Sequence, residues 1–515
     1  MSFLASKLKD AAAHNRNKVA FIHGDKTTTY GEFYDRSVRL SNAFASLNLK
    51  KGDRIAQLMP NCVPAVELDA ACIRQGLVRV PLNARLSPQE ILGMLENADV
   101  HCLMTTTAFV DAFNKAGVDL TQLSSLKSIY CTDTAEYEQL LADADTHDTF
   151  VELDDDDLYA LFFTSGTSGV LKAAMTSHKN WKALVRYSSS NQPSSNVVNA
   201  FVAPITHAAG AAILPSMLRG GKNILLNGFD PEGVLKLIQD HRVTNLLLVP
   251  TMLNMMMQVP DADRYDLSSL YTVVYGTAPF APDRIEGAVK LFGPVLRQGY
   301  GQTECCGMIS SLEKDDHLGV DDPMRYERLG SAGKPIFDAQ VRVVDEQGRD
   351  VPVGETGEII LKGDSVMLGY WRAPELTAET LIDGWLYTRD MGRFDEAGYL
   401  YLVDRKSDMI ITGGYNVYPK EVENALSTHP AVFECAVVGV PDEKWGESIK
   451  AVVVLRPNEK ASEREIIDHC KSTLASMKKP SSVDFVDDLP KSAVGKILRR
   501  KVKEQYWTGQ SRRVN

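Results

Sequence analysis

The stretch Phe163-Thr164-Ser165-Gly166-Thr167-Ser168-Gly169-Val170-Leu171-Lys172 decides how the rest of the chain is read. It follows the apolar run Leu158 to Phe163, which has the length and content of a buried strand. Glycines let successive backbone N–H groups turn toward one point, the Thr and Ser hydroxyls add donors, and Lys172 adds a positive charge. A polyphosphate suits such a loop. The spacing is not that of a Walker A loop, because two residues, not four, separate Gly166 from Gly169 and no Gly-Lys-Ser/Thr follows. On its own the stretch fits a phosphate cradle or a polar turn equally well, so the decision rests on what surrounds it.

Working outward, segments before and after the loop alternate between strand and helix patterns. Residues 18–33 suggest a hairpin around Gly24-Asp25 with a helix beginning near Tyr30. Arg54 to Met59, Gly76 to Pro81 and His101 to Thr105 read as strands, and Pro64 to Arg74 and Pro88 to Asn97 as helices. Residues 223–230, 243–249 and 271–276 continue the strand series. This rhythm predicts an α/β fold with doubly wound sheets. From about residue 330, short segments at Gln340 to Val344, Glu358 to Leu361 and Tyr399 to Val403 predict a β-rich subdomain. The charged stretch Asp404 to Asp408 then marks a boundary. The predicted organisation is a large domain over 1–403, a hinge at 404–408, and a small, mobile α+β domain over 409–515.

The 515 residues exceed one ordinary core, and a hydrophobic fraction of 44% with 24% charged residues is that of a globular protein. A net charge of −11 argues against a broad nucleic-acid surface but leaves room for a small basic pocket. The eight cysteines form no C-x-x-C pair, which predicts reduced thiols in a cytoplasmic protein, not a zinc site. Met1 to Ala13 reads as an amphipathic helix and not as a signal peptide, and no run has the length of a membrane span. The oligomeric state is left open, a dimer included.

Further constellations lie downstream. Tyr300-Gly301-Gln302-Thr303-Glu304 offers a ring to stack on a purine, a hydroxyl for a phosphate and a carboxylate for Mg2+; standing alone it reads more readily as a turn with a surface Glu. Gly276-Thr277-Ala278-Pro279 ends a predicted strand, where open α/β sheets bind ligands, and its small residues let a flat base approach. Asp390 can accept from both hydroxyls of a ribose, and Arg405 can reach a phosphate or ribose. Lys496, after Gly495 in a basic stretch, can neutralise charge at a reacting phosphate. His207 is flanked by Ala208, Ala209 and Gly210, small residues that leave space for a substrate.

Their order along one chain resembles the adenylate-forming superfamily, which includes acyl-CoA synthetases, peptide-synthetase adenylation domains and beetle luciferases. The resemblance covers nearly the whole chain, through Thr164 to Lys172, Pro204 to Gly210, Gly276 to Pro279, Tyr300 to Glu304, Gly354 to Gly369, Trp385 to Asp390, Asp404 to Glu423 and Pro490 to Arg500. It implies two half-reactions. A carboxylate attacks the α-phosphorus of Mg·ATP and releases pyrophosphate, and the thiol of CoA, or alternatively of an acyl carrier protein, then attacks the acyl carbon and expels AMP.

The resemblance also implies roles. Thr164, Ser165, Gly166, Thr167, Ser168, Gly169 and Lys172 would hold the β and γ phosphates. Gly276, Thr277, Ala278, Pro279 and Tyr300 would frame adenine, Thr303 would touch phosphate, and Glu304 would bind Mg2+. Asp390 would hold the ribose with Arg405 nearby. Lys496 would bridge carboxylate and α-phosphate, Ser407 would be the hinge, and Gly413 and Gly414 would line the CoA tunnel. The acyl pocket would take His207, Ala208, Gly210, Gly299, Cys306 and Met308, with His207 able to gate it. The pocket segments carry no Lys, Arg or Asp, which predicts a hydrophobic acid, fatty or aryl. Leu171, Ala173 and Arg389 depart from the family, which usually has Pro, Gly and Gly there. None of the three removes a catalytic group.

Overall fold

The computed structural model describes residues 3–164, 171–190, 192–193, 195–278, 280–319, 324–406, 408–413, 415–442, 444–471, 474–475, 477–491 and 497–507. The chain forms two compact units, Met1–Val341 with Leu361–Leu386, and Arg342–Ile360 with Tyr387–Asn515.

The first unit is built on two large sheets. In the seven-stranded sheet the order is Gly369–Tyr370, Lys172–Ser177, Leu158–Thr164, Val78–Pro81, Arg54–Gln57, Val100–Thr105 and Ser128–Cys131. Its middle strands pair parallel, as helical crossovers require. A nine-stranded sheet runs Lys334–Pro335, Gly307–Leu312, Leu296–Gln302, Thr272–Gly276, Asn245–Leu248, Val198–Phe201, Lys222–Leu225, Val19–His23 and Lys26–Thr29. One hydrophobic cluster draws side chains from both sheets, including Phe21, Ile55, Cys102, Tyr159, Phe201 and Leu225. A second cluster, with Ala56, Val78, Val80 and Leu161, covers the other face of the seven-stranded sheet. The central strands Val78–Pro81, Arg54–Gln57 and Val100–Thr105 are therefore buried on both faces, while the edge strand Ser128–Cys131 is partly exposed.

Local chemistry starts the helices where the sequence reading placed them. The helix Tyr30–Ser46 opens with a capping box in which Thr29 and Glu32 satisfy each other's backbone N–H groups, and Ser87 with Glu90 does the same for Pro88–Asn97. Several strand ends shift, the strand read over 223–230 ending at Leu225 for example, and one boundary has a clear local cause. Gly76, read as the first residue of a strand, is instead the left-handed cap of the helix Val63–Gln75 at φ 65°, and the strand begins at Val78. A glycine after an apolar helix ends it more readily than it starts a strand.

The β-rich stretch appears as a five-stranded sheet of Ala339–Val344, Gly357–Gly363, Trp385–Phe394 and Leu381–Ile382, with Leu400–Arg405 pairing to Trp385–Phe394. The C-terminal part of the second unit holds a further sheet, whose long hairpin Val432–Asp442 and Gly446–Leu455 is packed by the helices Pro419–Ser427 and Glu463–Lys471. The molecule thus has the mixed α/β architecture with a large N-terminal sheet region and a smaller C-terminal region that its sequence predicts. Among the described residues no helix is long and apolar enough to cross a membrane.

Candidate active site

The ends of the quoted loop are fixed by strand pairing. Thr164, last in its strand, stands opposite Lys172, first in the next, at the end of an antiparallel ladder. Ser165, Gly166, Thr167, Ser168 and Gly169 lie outside the described residues, as do Pro279, Ser407, Gly414 and Lys496. The short strand Gly369–Tyr370 adds to the outer side of Lys172–Ser177, with Tyr370 opposite Ala174. This brings the Tyr370 ring centre to 5.9 Å from Lys172 Nζ.

Tyr370 also reaches Glu304. Its hydroxyl donates to Glu304 Oε1 at 2.8 Å, and the Met367 N–H donates to the Glu304 carbonyl oxygen at 2.9 Å. Glu304 lies in the short turn Thr303–Cys305, which follows the strand Leu296–Gln302. The segment that grips it is anchored by Asn180, whose Nδ2 donates to the carbonyl oxygens of Asp364 and Val366 at 2.8 and 2.7 Å. The structure therefore unites Thr164, Lys172, Thr303 and Glu304 through Tyr370 and Asn180, two residues that sequence reasoning did not name. The only signal for Tyr370 was its place beside Gly369 at the end of a segment already singled out. Nothing in the sequence shows that its strand lies next to Lys172.

The glycines behave as close-approach positions. Gly276 and Gly299 are in register on parallel strands, and a Cβ on Gly276 would stand 2.2 Å from the Gly299 carbonyl oxygen. The Met308 side chain fills the space where a Cβ on Gly299 would go. Beside them Thr277 and Cys306 turn through the left-handed region at φ 65° and 48°. A β-branched residue there is strained, and such strain concentrates where chains are held for function. Tyr300 is buried, Thr277 is exposed and Ala278 is half-buried.

His207 stands exposed at the start of the turn Ala208–Ala212, with Ala208 also exposed and Gly210 packed so closely that a Cβ would meet the Ile205 carbonyl oxygen. Buried Asn61 holds this loop. Its Oδ1 accepts the Ile205 N–H at 2.9 Å, while its Nδ2 donates to the carbonyl oxygens of Phe201, Ala203 and Leu226. Crowding by protein atoms lowers the His207 pKa below the usual imidazole value, and Arg85 lowers it further, so the ring is neutral at neutral pH. Cys306 and Ala209 belong to one buried cluster. Burial pushes the Cys306 thiol up to about 12, so it acts as a small apolar surface and not as a nucleophile.

In the second unit, Asp390 and Arg405 pair across adjacent strands, with Arg405 Nε 3.3 Å from Asp390 Oδ1. Arg389, in the strand Trp385–Phe394, holds φ 61°. Gly413 also turns left-handed at φ 55° and lies under the Trp445 indole, where a Cβ would come within 2.6 Å of Cε3. Arg499, three positions after Lys496, binds Glu423, Asp404 and Asp408 at 2.5, 2.8 and 3.2 Å. Asp404 is almost fully buried in this knot. Burial raises its pKa and the Arg499 charge opposes that rise.

Comparison with known proteins places this arrangement. Residues 8–371 match the family model for AMP-binding enzymes, and residues 421–496 the model for the C-terminal domain of the same enzymes. The chain is 38% identical to a feruloyl-CoA synthase from Amycolatopsis sp., covering 95% of this chain and 96% of that one. It is 35% identical to a medium/long-chain-fatty-acid–CoA ligase of Mycobacterium tuberculosis, covering 98% and 90%. Among solved structures, ATP-bound MatB from Rhodopseudomonas palustris superposes with a TM-score of 0.88 at 30% identity, covering 98% of this chain and 99% of that one. The chain belongs to the AMP-binding enzymes of the adenylate-forming superfamily, among their acyl- and aryl-CoA ligases.

Proposed function

We propose that the protein is an AMP-forming acyl-CoA synthetase that activates a hydrophobic carboxylic acid, fatty or aryl, with Mg·ATP and passes the acyl group to CoA. The observation that supports this best is Glu304 held by the Tyr370 hydroxyl beside the strand that carries Lys172. In this reading Thr164 to Gly169 and Lys172 hold the leaving pyrophosphate. Gly276 to Pro279 and Tyr300 frame adenine, Thr303 meets phosphate, and Asp390 with Arg405 binds the ribose. One carboxylate beside a threonine hydroxyl suits Mg2+, which takes one or two protein carboxylates together with phosphate oxygens and water. When bound, the ion would neutralise charge on the phosphates.

Lys496 stabilises the charge that develops as the carboxylate attacks, a placement worth about 3–4 kcal/mol in comparable sites. The chain divides in function at 404–408. Residues 409–515 turn about Ser407 between the half-reactions, and Gly413 and Gly414 then line the path of the CoA thiol. Neutral His207, the small residues after it, and Gly299, Cys306 and Met308 supply an apolar pocket. The eight cysteines form no disulfide, which fits a reducing, cytoplasmic setting.

A screen of pyrophosphate release across fatty, aryl and amino acids, with and without CoA, tests the reading. The expected result is release with fatty or aryl acids, and AMP with thioester only when CoA is present. Preference for a phosphopantetheinyl carrier protein over CoA in direct competition would reassign the enzyme to carrier loading. Release only with amino acids would overturn the pocket assignment.

A further inference from the structure

The segment 404–408 joins two sheets of the second unit. Before it, the strand Leu400–Arg405 pairs with Trp385–Phe394, with Arg405 opposite Asp390 and Asp404 opposite Met391. Lys406 is tied to that same sheet, since its N–H donates to the Arg389 carbonyl oxygen at 2.9 Å and its Nζ to Glu358 Oε2 at 2.9 Å. After it, the strand Ile410–Thr412 enters the C-terminal sheet by pairing with Tyr415–Val417 and Gly446–Leu455.

Arg499 grips this junction from both sides. It opens the helix Arg499–Glu504, whose Val502 is buried in one cluster with Ala436, Val438 and Leu489 of the C-terminal region. Its Nε and Nη2 form a two-pronged pair with Glu423 of the helix Pro419–Ser427, at 2.8 and 2.5 Å. That fork fixes the guanidinium on the C-terminal side of the junction. The other terminal nitrogen, Nη1, donates to Asp404 Oδ1 at 2.8 Å and to Asp408 Oδ2 at 3.2 Å. One nitrogen thus holds one carboxylate from each side of position 407. The Asp404 side chain is 3% exposed, and the Lys420 N–H, at the start of the helix that carries Glu423, also donates to it at 2.6 Å. Three carboxylates meet one guanidinium here. They repel one another once Arg499 withdraws, so the contact is firm when made and is pushed apart when opened.

We propose that Arg499 is the positioning residue that holds residues 409–515 in their pose for adenylation, by clamping Asp404 and Asp408 across position 407. This rests on the CoA-ligase reading and adds to it the contact that sets the pose. A change of backbone angles at position 407 moves Asp408 relative to Asp404, so a single nitrogen holds both in one arrangement only. That arrangement ties Arg499 to Asp404, the neighbour of Arg405, where the ribose is assigned. Lys496 precedes Arg499 by three positions, a span of at most about 11 Å, so the clamp keeps the lysine near a nucleotide held at Asp390 and Arg405. Release of Nη1 frees the domain to turn for thioester formation, while Glu423 keeps the guanidinium on its own side.

The test measures the two half-reactions apart, by rapid quench, in the full-length enzyme and in D408A, R499K and the double variant. Acyl-AMP formation is followed with the acid turned over fastest in the screen above, and thioester formation from the corresponding supplied acyl-AMP with CoA. D408A is expected to slow acyl-AMP formation about tenfold and to leave thioester formation within about twofold of native. R499K, which keeps the charge and loses the fork, should slow the same step, and the double variant should be no slower than R499K because both residues act through one contact. D408A leaves the Glu423 fork intact, so it reports even where R499K prevents folding. A role in stability alone would slow both half-reactions alike in D408A. That result, a loss confined to thioester formation, or losses that multiply in the double variant overturns the proposal. Each of those leaves the CoA-ligase reading standing, whereas failure of that reading would show as no acyl-AMP from the native enzyme with any acid of the screen.

Discussion

A single hydroxyl sets how Glu304 is presented. The Tyr370 O–H donates to one carboxylate oxygen, and hydrogen bonds to ionised groups contribute about 1.5–3 kcal/mol. Tyr370→Phe removes the hydroxyl that makes that bond and keeps the ring beside Lys172. We expect kcat/KM for pyrophosphate release to fall about 10- to 100-fold, with a higher Mg2+ concentration needed for half-maximal rate; a stopped assay over a Mg2+ titration measures both. At this scale the sequence was uneven. It named Thr303 and Glu304, because a Thr-Glu pair after a predicted strand has recognisable chemistry. It could not name Tyr370, Asn61 or Asn180, because each acts through a strand or loop far away in the chain.

Among the elements, the helix His178–Ser190 carries more of the site than its sequence announces. Asn180 closes its start reciprocally, since the Asn180 N–H donates to Ser177 Oγ while the Ser177 N–H donates to Asn180 Oδ1. The same side chain pins the segment that grips Glu304. Asn180→Ala removes a cap worth about 1 kcal/mol and two hydrogen bonds to partly exposed carbonyl oxygens, for a total of about 1–3 kcal/mol. Urea unfolding should register that loss, and adenylation should weaken in the same protein because the 364–367 segment loosens. Element identity was legible wherever local rules decide it. The helix starting near Tyr30, the helix Pro88 to Asn97 and the hairpin at Gly24-Asp25 were placed correctly. Gly76 was misplaced because a glycine between a helix and a strand belongs to either until the backbone angle is known.

For the molecule as a whole, the reading separates two half-reactions, and that separation can be measured. Lys496→Ala should reduce adenylation by about 300-fold or more while thioester formation from supplied acyl-AMP stays within a few-fold of native. Rapid-quench assays of each half-reaction check this, and equal loss of both would remove Lys496 from its proposed role. The two-layered sheet region and the β-rich region after residue 330 were legible because hydrophobic rhythm repeats over tens of residues. The assembly of the site was less so, since residues from Thr164 to Tyr370 meet only through sheet order. A nine-stranded order that carries Val198–Phe201 between Asn245–Leu248 and Lys222–Leu225 has no local signature.

Arg389 brings one more consequence. Its backbone sits at φ 61°, in the left-handed region that a glycine would occupy freely. A residue with a Cβ holds that angle at a cost of about 1–2 kcal/mol. The stored tension lies one residue from Asp390, so the strand end that presents this carboxylate is a spring held under load by the surrounding fold.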